Sequence, residues 1–95
     1  MMKKTAFFIN TARGSVVNEL ALIDALQNNK IAGAAIDVQE CEPPVLDNPL
    51  YTLPNCILTP HIGWKRLESR QRSLELIAGN IEAFYAGNPQ NVVNK

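Results

Sequence analysis

The chain has 95 residues, 46% of them apolar and 19% charged, and its nine basic and nine acidic residues cancel. That is enough for one small domain, and a domain of this size buries a limited fraction of its surface. The basic residues are scattered and leave no footprint for a phosphate backbone, so nucleic acid is not an expected partner.

The opening Met-Met-Lys-Lys precedes an apolar run too short for a secretion signal, and no run is long enough to span a membrane. Cys41 and Cys56 form no CxxC pair and have no flanking histidine at zinc spacing. They read as reduced thiols of a cytoplasmic protein, with no metal site.

Residues 5–9, TAFFI, are short, apolar and bounded by polar turn residues, which predicts a buried strand. Residues 18–29 predict a helix. Asn18 suits the N-cap and Glu19 the first turn, while Leu22, Ile23 and Leu26 form one apolar face and Asn28-Asn29 mark the stop. Residues 31–38, IAGAAIDV, predict a second strand. Gly33 within it signals close approach of another backbone. The following stretch to Asn55 carries four prolines and is expected to hold no regular element.

Residues 56–58, CIL, predict a third strand. From Leu67 to Ala86 a long helix is expected. Leu74, Ile77, Ala78, Ile81, Phe84 and Tyr85 recur at steps of three and four, and this spacing predicts one continuous buried face. Gly87 and Pro89 close the helix, and residues 91–93 suit a last short extended piece. Apolar strands joined by a helix or a long connection predict a parallel sheet covered on both faces. The fold class expected is α/β, part of a doubly wound, Rossmann-like sheet.

In such a sheet the strand C-termini share one edge, where ligands bind. Arg13 follows the first strand, Asp37 and Glu42 the second, and His61, the only histidine, the third. An arginine fork suits a carboxylate or phosphate ligand. A histidine passes protons near neutral pH, and a neighbouring carboxylate orients its ring. Each residue also has a plainer reading. Arg13 could cap a turn, Asp37 could hold loop amides, Glu42 could be solvated, and His61 could be a turn residue. The coincidence of all four at one edge favours a site for proton transfer on a small anionic substrate.

Four segments carry a resemblance: INTARGSVVNELALIDAL (9–26), IAGAAIDVQECEP (31–43), ILTPHIG (57–63) and AGNPQNVVN (86–94). In order and spacing they resemble the D-isomer-specific 2-hydroxyacid dehydrogenases, which use NAD or NADP. The resemblance implies that Arg13 binds the substrate carboxylate and polarises its carbonyl, that His61 is the acid/base at the C2 oxygen, and that Glu42 is its partner. It implies Asp37 near the nicotinamide, and cofactor contacts from Thr11, Ala12, Arg13, His61, Gly63 and Trp64. Glutamate at 42, where the formate dehydrogenase branch has glutamine, points to reduction of a 2-oxoacid such as hydroxypyruvate or glyoxylate. Trp64 is similar to its counterpart in glycerate/hydroxypyruvate reductase-like members; phosphoglycerate dehydrogenase-like members are the other branch implied.

Family members are much longer and carry a Gly-rich phosphate-binding turn that the five glycines here cannot form. Residues 1–95 therefore resemble the C-terminal half of an NAD(P)-binding Rossmann domain, with 87–95 as a tail returning toward a substrate domain. Alone, the 95 residues are expected to bind NAD weakly or not at all, to show no turnover, and to self-associate as a homo-oligomer through exposed apolar surface. A non-catalytic, corepressor-like interaction module on the same fold is the alternative.

Overall fold

The computed structural model describes residues 2–94; Met1 and Lys95, the ends of the expected domain, lie outside the described residues. The chain divides into two compact units, one through Gly63 and the other from Trp64.

The first unit is a three-stranded parallel sheet in the order β1-β2-β3. Strand β1 is Phe7–Asn10, β2 is Gly33–Ile36 and β3 is Cys56–Leu58, and helix α1, Glu19–Gln27, lies between the first two in sequence. Phe8, Ala34 and Cys56 align across the sheet, as do Asn10, Ile36 and Leu58. Alternation puts both rows on one face. That face meets Leu22, Ile23 and Leu26 of α1, together with Ile31 and Leu50, in the core.

The ends of α1 follow the expected chemistry. The Asn18 side chain accepts the Ala21 N–H at 3.0 Å, satisfying one of the unpaired donors of the first turn. Asn29 adopts a left-handed φ of 51° just past the helix, and Lys30 N–H returns to the Ala25 carbonyl at 2.8 Å, so the Asn-Asn pair does stop it. Gly33 also behaves as expected: a Cβ there would lie 2.8 Å from the Asn55 carbonyl oxygen.

Two expectations for this unit are corrected. Within the first unit, no described residue covers the opposite face of the sheet: Phe7, Ile9 and Ile57 are each about two-thirds or more exposed. An apolar run predicts that something should cover both faces, but not that neighbouring residues of the same unit supply it. The proline-rich stretch does hold an element, a 3-10 turn at Pro49–Thr52. Asn48 caps it by accepting Leu50 N–H at 2.9 Å, Pro49 sits at a first position that needs no donor, and Leu50, 1% exposed, anchors it to the core. A second 3-10 turn, Gly14–Val16, follows β1.

The second unit is built on helix α2, Leu67–Tyr85. Gly87, at φ 73°, ends it, with backbone bonds from Gly87 to Phe84 and from Asn88 to Ala83. The apolar stripe is present in sequence but is not a buried face, since no described residue of α2 is buried. Spacing reports a stripe; burial requires a partner surface that these residues do not supply. Residues 91–93 form no strand; Asn91 instead bonds the Asn80 side chain at 2.8 Å.

Candidate active site

The parallel register brings the three strand ends to one edge, and the residues after them are tied together by hydrogen bonds. Asn10, the last residue of β1, is buried. Its side chain accepts Ala12 N–H at 3.1 Å and donates to the Arg13 carbonyl at 2.9 Å. This fixes the turn that carries Thr11, Ala12 and Arg13. All three are exposed, and the Arg13 guanidinium donates to the Ala12 carbonyl at 2.7 Å.

Asp37, directly after β2, is buried, and its carboxylate bonds the loop that follows β3. Its Oδ1 accepts from the Thr59 hydroxyl and from Ile62 N–H, and its Oδ2 accepts Gly63 N–H at 2.9 Å. The Thr59 hydroxyl first, and then the two backbone N–H groups, hold the Asp37 carboxyl below its ordinary range. The backbone of Asp37 contributes as well: its carbonyl accepts His61 N–H at 2.9 Å. Thus β2 grips the segment that presents His61 through both its main chain and its side chain.

His61 adopts a left-handed φ of 53°, a conformation uncommon for a side chain with a Cβ. Its Nδ1 lies 2.8 Å from Glu42 Oε2. The other carboxylate oxygen, Oε1, accepts Gln39 N–H at 3.0 Å. Glu42 is held below the ordinary carboxylate range by the bond with His61, then by the Gln39 N–H, with the Arg13 charge adding a smaller pull. An ionised carboxylate only accepts, so Nδ1 carries the proton between the two groups. Both side chains are about 40% exposed, so the pair is partly solvated and reachable. Beside it opens a pocket of about 350 Å³, walled by Pro43, Pro44, Tyr51, Leu58 and Pro60.

Of the residues expected from sequence, the structure joins Glu42 and His61 directly, sets Arg13 within electrostatic reach of Glu42, and links Asp37 to Gly63. Thr11 and Ala12 lie on the turn after β1, and Trp64 opens the second unit. Sequence reading missed Thr59 as the hydroxyl that fixes Asp37, although its place in Thr-Pro-His offered a signal. It also missed Gln39, Asn48 and the outward reach of Glu19. Glu19 accepts from Asn48 Nδ2 at 2.8 Å and from Glu40 N–H at 3.2 Å. No local pattern marks these long-range bonds.

A parallel sheet with an arginine, a glutamate-bonded histidine and a loop-gripping aspartate at one edge has the Rossmann-like α/β layout of a nucleotide-binding domain. Residues 1–63 match the family described as D-isomer specific 2-hydroxyacid dehydrogenase, NAD binding domain, and the chain belongs to that family. Over 94 residues it is 46% identical to a hydroxypyruvate reductase of Blautia hydrogenotrophica, covering 99% of this chain and 29% of that protein. It is 49% identical to a glycerate dehydrogenase of Methylorubrum extorquens, covering 97% of this chain and 30% of the relative. The chain thus spans about 30% of the length of these curated relatives. Among solved structures, a D-isomer specific 2-hydroxyacid dehydrogenase from Xanthobacter autotrophicus in complex with NADPH and MES superposes with a TM-score of 0.76 at 39% identity, covering 98% of this chain and 38% of the other. An acyclic imino acid reductase in complex with NADPH and D-Arg gives a TM-score of 0.74 at 38% identity, covering 98% and 29%.

Proposed function

We propose that these residues are the C-terminal half of the cofactor domain of an NAD- or NADP-dependent dehydrogenase that reduces a small 2-oxoacid, such as hydroxypyruvate or glyoxylate, to the D-2-hydroxyacid. The observation that carries this reading is the His61–Glu42 pair, held at the C-terminal edge of a parallel sheet beside a pocket. The free thiols of Cys41 and Cys56 suit a cytoplasmic setting.

The residues fit a nicotinamide cofactor. Asp37 Oδ2 accepts Gly63 N–H, and a carboxylate oxygen has room for a second donor such as a carboxamide. The exposed turn at Thr11 and Ala12 and the backbone at Gly63 are the first unit's further share of the site. When bound, the cofactor supplies the hydride that reaches C2 of the oxoacid.

The chain's own residues handle charge and the proton. Arg13 pairs its fork with the substrate carboxylate and draws electron density toward the carbonyl oxygen. His61 gives its Nε2 proton to that oxygen as the C2 carbon accepts the electron pair, and takes it back in the oxidation direction. Glu42 keeps Nδ1 protonated and the ring turned toward the substrate.

In a full-length enzyme containing these residues, His61→Ala should lower kcat for hydroxypyruvate or glyoxylate reduction by about 10²- to 10⁴-fold. Near-unchanged turnover by stopped-flow NADH oxidation would remove His61 from the mechanism. The 95 residues by themselves are expected to show no turnover.

A further inference from the structure

Glu42 can orient His61 only if Glu42 is itself held, and it lies on an exposed loop just before two prolines. Its second anchor is the Gln39 backbone N–H. Gln39 is in turn 8% exposed, and Asn48 7%. Asn48 Nδ2 donates to Gln39 Oε1 at 3.2 Å and to Glu19 Oε1 at 2.8 Å, while its Oδ1 accepts Leu50 N–H at 2.9 Å. One buried amide thus ties the first turn of α1, the start of the loop and the 3-10 turn at Pro49–Thr52. Buried amides whose donors and acceptor are all engaged fix one local geometry, because any other leaves polar atoms desolvated and unpaired.

We propose that Asn48 and Gln39 are positioning residues for the proton-transfer pair: Asn48 holds the Gln39 side chain, and the Gln39 backbone holds Glu42 in line with His61. The proposal rests on the reading of His61 as the acid/base. It assigns no contact with substrate to either residue.

His61 is the only histidine in the chain, so its ring can be read without ambiguity by long-range 1H–15N NMR of the histidine-labelled protein. With Glu42 held, the neutral ring should show a single tautomer with the proton on Nδ1. Asn48→Asp keeps the Oδ1 acceptor for Leu50 N–H but removes both donors. It should convert the ring to a mixture of tautomers, seen as converging ring-nitrogen shifts, while the amide spectrum stays dispersed. Thr52→Ala, which alters the same short turn through a hydroxyl bonded to the Pro49 carbonyl, should leave the tautomer as in wild type. A folded Asn48→Asp protein with the wild-type tautomer overturns the proposal. Should Asn48→Asp not fold, Gln39→Met cuts the same link from its other end and must give the same mixture for the proposal to stand. None of these readouts involves turnover. If the tautomer responds but His61→Ala leaves catalysis intact, the catalytic reading fails and the positioning network remains.

Discussion

At His61 the usual ranking of alanine and glycine should reverse. In most backbone positions glycine is the less stable of the two because it loses more freedom on folding. At φ 53°, however, an alanine Cβ is crowded against its own backbone, at a penalty of about 1–2 kcal/mol. Both His61→Ala and His61→Gly lose the bond to Glu42, so that loss cancels in the comparison. We expect the glycine protein to match or exceed the alanine protein by about 1 kcal/mol in urea denaturation. A clear advantage for alanine would show that the left-handed backbone is not retained. Asp37 makes a second residue-scale prediction. Its folded-state pKa is depressed by the Thr59 hydroxyl and the Ile62 and Gly63 N–H groups. A depressed carboxylate contributes stability that is present above its unfolded pKa, near 4, and is lost as pH falls through the lower folded value. Wild type should therefore lose stability on acidification below about pH 4, and Asp37→Asn should lose less over the same interval. Equal slopes for the two proteins in urea titrations between pH 2.5 and pH 5 (an interval set to bracket the ordinary carboxylate range) would show that Asp37 does not carry this dependence.

At the scale of elements, the loop bearing Glu42 depends on a glycine far from it in sequence. A Cβ on Gly14 would lie 2.0 Å from the backbone carbon and oxygen of Gln39 and 2.4 Å from the Glu40 nitrogen. Backbone cannot rotate aside as a side chain can. Gly14→Ala should therefore destabilise the first unit by about 1–3 kcal/mol, the usual range for overpacking. It should also raise the exchange rate of the Gln39 amide, whose hydrogen bond to Glu42 it disturbs. An unperturbed Gln39 amide would count against this route of damage. The same elements show what the sequence makes legible. Strands β1 to β3 and helix α1 are readable because their apolar spacing and capping residues are local. Strand β2 and helix α1 are trimmed at both ends, β1 starts at Phe7 rather than Thr5 and runs on to Asn10, and β3 keeps its expected bounds. The 3-10 turn at Pro49–Thr52 is not readable, because it exists through Leu50 in the core and Asn48 between two other segments. The stripe on α2 is readable as apolar, yet its spacing says nothing about what lies over it. At the site, strand order alone placed Arg13, Asp37, Glu42 and His61 at one edge. The grip of Asp37 on residues 59–63 needed the folded backbone.

For the molecule as a whole, the uncovered face of the sheet is the dominant physical problem. Ile9, Ala35 and Ile57 align across the three strands, next to Phe7 opposite Gly33. Phe7, Ile9 and Ile57 are 71%, 68% and 68% exposed. Strands β1 and β3 are also the two edges of the sheet. Parallel sheets are found with both faces covered, and exposed apolar faces beside open edges associate. We therefore expect the 95-residue chain to self-associate, with a light-scattering mass that rises with concentration above 10.5 kDa. Placing one charge in the middle of the face, Ile9→Lys, should shift it toward the monomer without altering the core on the opposite face, where Phe8 and Asn10 point. A lysine protein that associates as strongly as wild type would move the sticky surface elsewhere, and the exposed stripe of α2 would be the next to test. A wild-type chain that stays at 10.5 kDa across the concentration range would mean that the face tolerates water, against what its apolar content predicts.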